Sequence, residues 1–114
     1  MQPDDAALLL DMLIAARKAG GYVGSRTPGE FYANGLVQDA VIPQVQTMGE
    51  AAGQISASFR DAHPEIPCRD ITAMRHRLVH DYRSINLDIV WHTAKDELPP
   101  LIALLEPLVP PDES

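Results

Sequence analysis

Apolar side chains recur at three- and four-residue spacing in several separate stretches of this chain, and no stretch alternates β-branched with polar residues between two-residue turns. Helices packed on helices are therefore expected. The first is predicted over residues 4–18, with Leu8, Met12, Ile14 and Ala15 on or near one face and acids in the first turn, where the helix dipole favours them. Ala19-Gly20-Gly21 is expected to stop it. In Thr27-Pro28-Gly29-Glu30, Thr27 suits the cap of a short helix, Pro28 its first position, and Glu30 completes a capping-box spacing.

A third helix is predicted over 35–59, carrying Leu36, Ala40, Val41, Val45, Met48, Ala52 and Ile55 at helical spacing. Pro43 falls inside it and is expected to kink or break it near residues 39–42, because proline removes a hydrogen bond and crowds the preceding turn. Gly49 and Gly53, one turn apart, either leave a flat strip on which another helix can lie close or simply weaken the helix. His63-Pro64-Glu65-Ile66-Pro67 is a turn, and Pro67 starts a helix over 68–80. Asn86 or Asp88 caps the last helix, which runs through Trp91 towards residue 105 and is bent or split by Pro99-Pro100. The sum is an all-α bundle of four main helices plus one short one, kinked at Pro43 and Pro99. It forms one domain over 1–108, with a flexible acidic, proline-rich tail over 109–114.

A formal net charge of -7 argues against nucleic-acid binding by bulk electrostatics. The positive charge is concentrated, however: Arg75, Arg77 and Arg83 are three of nine basic side chains, with His76 and His80 among them. A local cationic site on a negative body suits a focused phosphate contact and leaves acidic surface for a basic partner. The one cysteine, Cys68, permits no intramolecular disulfide and sits in surroundings that do not suggest an activated thiol; a reducing compartment is expected. Asp4 and Asp5 near the start do not suit a secretory signal, and no 18 apolar residues run together, so the expected location is cytoplasmic, with no membrane association.

The segment Met74-Arg75-His76-Arg77-Leu78-Val79-His80-Asp81-Tyr82 carries the chemistry. Arg75 can clamp a phosphate through its planar fork of donors, His80 can take and return a proton near neutrality, and Tyr82 adds a hydroxyl. On a continuous helix His80 would point roughly 140° away from Arg75. Either the helix ends near His80 and the chain turns back, or a second copy supplies the complement; the latter favours a symmetric dimer with two motif segments facing each other. His76 and His80 also have the spacing of two helical zinc ligands, but Arg77 stands where a zinc protease needs Glu and no third ligand is suggested at useful spacing, so neither metal nor cofactor is expected. The plain alternative is that Arg75, Arg77 and Arg83 pair with Asp70, Asp81 and Asp88 on a solvated surface, each pair contributing ~0 to 1 kcal/mol.

The Arg-x4-His-x-Tyr spacing resembles the signature of the HEPN superfamily and, more narrowly, of its HepT-like toxin branch. Residues 36–42, Gly49-Glu50-Ala51-Ala52, residues 63–67, and residues 87–91 followed by Leu98-Pro99 resemble that branch in the same order. The resemblance implies a metal-independent endoribonuclease toxin that pairs its motifs in a homodimer cleft, with Arg75 and His80 as catalytic residues and His76 as a positioning neighbour. It further implies neutralisation by a nucleotidyltransferase antitoxin that attaches AMP to Tyr82. Asp81 stands where the branch often has Gly, and His76 where it often has Asn. The alternative function is a catalytically inactive module that binds nucleotide, RNA or a protein partner.

Overall fold

The computed structural model describes residues 3–80 and 86–109, without the side chains of Pro3 and of residues 78–80. Helix α1 (Pro3–Val23) is followed by the short α2 (Pro28–Tyr32) and then by α3 (Gly35–Gln54), α4 (Ala57–Ala62) and α5 (Cys68–His80). The last segment comprises α6 (Leu87–His92), a π-helical turn over Thr93–Glu97, α7 (Leu98–Leu105) and a closing 3-10 turn. Among the described residues there is no strand, and no helix is long and apolar enough to cross a membrane. The architecture is the all-α bundle expected. Apart from Val109, the expected tail lies outside the described residues.

Local chemistry sets most of the boundaries. Thr27 caps α2 with the full reciprocal box: its Oγ1 accepts from Glu30 N at 3.2 Å, and Glu30 Oε1 accepts from Thr27 N at 3.1 Å. That bond to a backbone N–H also holds the Glu30 carboxyl below its ordinary pKa. Asn34 caps α3, and Asn86 caps α6 by accepting from the amides of Asp88 and Ile89.

Three boundaries differ from those read in the sequence. Helix α1 runs through Gly20-Gly21 to Val23, because Ala19 and Val23 are both buried and their packing outweighs the weak helical preference of two glycines. It ends where Gly24 takes φ 55°, in the left-handed region. Gly24→Ala is expected to cost about 1–2 kcal/mol in a urea melt, since an L side chain is strained at that φ. The second difference lies in α3, which remains a single helix across Pro43 and ends instead at Gln54. Ser56 then caps α4: its Oγ accepts from Phe59 N at 3.2 Å and donates to Asp5 Oδ2 at 2.6 Å, while Ser56 N donates to Asp5 Oδ1 at 2.9 Å. This clasp ties the break to the buried first turn of α1. Third, Leu36 and Ile14 are exposed rather than core, Leu36 although Val37 beside it in the same turn is buried.

Pro99 and Pro100 act on the helix that precedes them. Pro99 cannot donate to the residue four before it and its ring crowds that carbonyl; the chain answers with the π turn over Thr93–Glu97, so α6 and α7 flank a widened turn. Helix α3 is the centre of the molecule, with α1 and α5 packed on it and α7 returning to α1. The core is filled by side chains such as Leu9, Met12, Val41, Val45, Met48, Leu98 and Leu105. Phe31 of α2 plugs one end and stacks obliquely on Trp91, with centroids 5.5 Å apart, and the Tyr32 hydroxyl donates to Asp88, fixing α2 to α6.

Candidate active site

Helix α5 carries the motif. Cys68, Ile71 and Met74 form its buried stripe, three residues apart, while His76 and Arg77 are exposed. Thr72 bonds back to the Cys68 carbonyl at 2.9 Å, keeping its hydroxyl satisfied within the helix.

Arg75 sits between these two faces, half-buried, where α5 crosses α3 at Gly49. A Cβ on Gly49 would lie 2.2 Å from Arg75 Cβ and 2.8 and 2.9 Å from its Cδ and Cγ. The aliphatic stem of Arg75 thus fills the space that any other residue at position 49 would occupy. One turn on, a Cβ on Gly53 would meet Thr72 at 3.7 Å, an ordinary contact. The glycine strip is therefore a true approach surface, but only Gly49 is sterically required by it.

The guanidinium has an unusual environment. Arg75 Nε is buried and has no hydrogen-bond acceptor, and among the described residues no carboxylate pairs with Arg75. Among the described residues no ion pair joins Arg75 or Arg77 to Asp70 or Asp88, and Asp88 accepts from Tyr32 instead; the pairs foreseen for Arg83 and Asp81 lie outside the described residues. A buried N–H left unanswered costs about 1–3 kcal/mol, and a guanidinium held in this way has its donors free for an anion.

The other motif residues are placed less completely. The backbone of α5 is helical through His80, so position 80 lies about 140° round the axis from position 75. The side chain of His80, and all of Asp81, Tyr82 and Arg83, lie outside the described residues. Within one chain the register alone thus leaves positions 75 and 80 on different faces.

Other chemistry-bearing side chains fall into structural roles. Burial pushes the Cys68 thiol above its ordinary pKa, which keeps it protonated and a poor nucleophile. Trp91 is half-buried against Phe31 and lies under Lys95, whose Nζ is 5.4 Å from the ring and donates to the Gly24 carbonyl at 2.7 Å, so the indole is occupied rather than offered to a base. His92 is exposed and pairs with Asp96 and Glu97. Among the described residues no three His, Cys, Asp or Glu side chains are grouped as a metal site.

Comparison with known proteins supplies the family. The model of the family described as Ribonuclease HepT-like matches residues 12–108, which include α5 and the whole Arg-x4-His-x-Tyr spacing. The chain belongs to the HepT-like ribonuclease family. A protein of Thermococcus cleftensis named "Probable ribonuclease HepT" is 35% identical over 79 residues, covering 69% of this chain and 72% of its own. Two proteins of Methanocaldococcus jannaschii named as candidate RNases, MJ0125 and MJ1216, are 30% and 29% identical over 106 residues, 93% of this chain, and are themselves covered to 91% and 88%. No solved structure matches the chain. For this HepT-like protein, the residue that sequence reasoning undervalued is Gly49: the small-residue spacing signalled a close helix crossing, but not that Arg75 is the group seated there.

Proposed function

We propose that this HepT-like chain is a metal-independent endoribonuclease toxin that works as a homodimer. The observation that carries the reading is Arg75: a half-buried guanidinium with an unanswered Nε–H and no carboxylate partner among the described residues, held on the helix that also bears His80. A cation with no acidic partner among the described residues, in a chain of net charge -7, is suited to an incoming phosphate.

The chemistry uses the substrate's own nucleophile. His80 accepts the proton of the ribose 2'-OH, whose oxygen attacks the adjacent phosphorus; the P–O5' bond breaks and the 5' oxygen leaves with a proton given by the imidazolium so formed or by water, to which His80 otherwise loses its proton. The products are a 2',3'-cyclic phosphate and a 5'-OH end. Arg75 stabilises the charge that builds on the non-bridging oxygens of the pentacoordinate phosphorus. Because positions 75 and 80 lie on different faces of one α5, a second protomer related by a two-fold axis completes each site, and His76 orients His80.

The antitoxin is a nucleotidyltransferase that transfers AMP to the Tyr82 hydroxyl. An AMP there places bulk and negative charge beside Arg75 and His80 and repels the RNA phosphate. Expression of the chain alone is expected to arrest growth. Co-expression with a family nucleotidyltransferase should relieve the arrest and add the mass of AMP to the peptide containing Tyr82, an addition lost in Tyr82→Phe. Relief of toxicity with an unmodified Tyr82 peptide would refute the modification step.

A further inference from the structure

A cleft of about 290 Å³ lies between α5 and α7, with the π turn at one end and Met48 of α3 at its floor. Ile71 and Met74 form one apolar wall and Leu101 and Leu104 the other, with Leu104 exposed at the mouth. Four carboxylates stand around it, from Glu65, Asp70, Asp96 and Glu97, and among the described residues no Lys or Arg lines it.

We infer that this cleft is the docking groove for a partner protein that presents a basic amphipathic helix, its apolar side chains entering between Met74 and Leu101 and its Lys or Arg side chains meeting the four acids. The inference is independent of the ribonuclease reading. The volume lies at the lower end of small-molecule pockets, ~300 Å³, which suits a few side-chain anchors and matches the helix-in-groove mode of recognition. Charge decides the occupant. RNA is repelled by a rim of carboxylates, so the cleft is not an extension of a phosphate-binding channel.

The rim is also arranged for exchange. Glu65 pairs with His63 at 3.1 Å, and Asp96 and Glu97 both reach His92, at 2.7 and 3.7 Å. These are exposed contacts to imidazoles, which a permanently charged guanidinium or ammonium displaces readily because exposed ion pairs hold by less than about 1 kcal/mol. Met74 lines the cleft while its neighbour Arg75 lies against Gly49, so a helix docked here presses on the element that carries the motif.

The test uses the full chain and three labelled synthetic peptides of roughly four helical turns: one with Leu at i and i+4 among Lys residues, its scramble, and its charge-reversed Glu twin. Fluorescence anisotropy at low salt is expected to show binding of the segregated Lys peptide alone. Asp70→Lys/Asp96→Lys and, separately, Leu104→Asp should each weaken it by about tenfold or more. Asp11→Lys/Asp39→Lys, which changes the net charge equally at exposed positions away from the cleft, should leave affinity within about twofold, with circular dichroism confirming that every variant is folded. Equal weakening by the two double variants, equal binding of the scramble, or no binding would overturn the proposal. So would a homo-oligomer in the ultracentrifuge that Leu104→Asp dissociates, since the cleft would then belong to a second copy.

Discussion

Under the proposed mechanism, Arg75→Ala and His80→Ala are each expected to lower the rate of RNA cleavage by about 10²–10⁴-fold while the protein stays helical. The two losses would have different origins. In the proposed mechanism His80→Ala removes the group that accepts the 2'-OH proton, a step that solvent performs slowly. Arg75→Ala removes charge stabilisation at the phosphorus and one phosphate contact, so it also weakens RNA binding and lowers the dependence of affinity on salt by about one counterion. Arg75→Lys keeps the charge but loses both the planar fork and the Nε–H that is buried without an acceptor, and is expected to recover only a minor part of the rate. Initial rates on a labelled RNA, with circular dichroism as the control for folding, measure all three. A variant that cleaves at the wild-type rate removes its residue from the site.

Gly49→Ala is expected to damage stability and activity together, although it adds only one methyl group. The new Cβ would stand 2.2 Å from Arg75 Cβ, where carbon atoms need about 3.5–4.0 Å, and the obstructing atom is fixed to the α5 backbone. Helix α5 must retreat from α3 by more than an ångström. Overpacking of this kind costs typically ~1–3 kcal/mol, which lowers Tm by several degrees in a domain of this size. A displacement of about 1 Å at a catalytic group costs on the order of 10²-fold in rate. Gly53→Ala is the internal control. Its Cβ would meet Thr72 at an ordinary 3.7 Å, and replacing an interior helical glycine by alanine gains up to about 1 kcal/mol, so that variant is expected to be as stable as the wild type or more so. Melting temperatures of the pair decide the matter: equal shifts would mean that the approach at Gly49 is not the tight one.

The capping residues were the most legible part of the sequence, because they act within four residues of themselves. Thr27 with Glu30, and Asn86, close the same helix starts that their spacing predicts. The α5 boundaries were legible for a similar reason, with Pro67 before it and an apolar stripe along it. Where tertiary packing decides, the sequence misled. Gly20-Gly21 read as a stop, but Ala19 and Val23 on either side are buried against the bundle and hold the helix together. Helix α3 read as running to Phe59, whereas it ends at Gln54 and Ser56 starts α4, held by Asp5, which lies 51 positions away in the chain. Of the site, the motif was visible as a cluster of Arg, His and Tyr, and among the described residues Arg75 has no carboxylate partner. The role of Gly49 was not visible, because it depends on which side chain of α5 crosses above it.

The central claim is that the chain cleaves RNA through the ribose hydroxyl with Arg75 at the phosphate. Its most direct measurement incubates the purified protein, in excess chelator, with an RNA oligonucleotide and with the same oligonucleotide carrying a single 2'-deoxy sugar at the mapped cleavage position. Cutting of the first to a 2',3'-cyclic phosphate end, no cutting of the second at that position, and no cutting of either by Arg75→Ala are the expected results. Cleavage at the deoxy position, or undiminished cleavage by Arg75→Ala, would contradict the account.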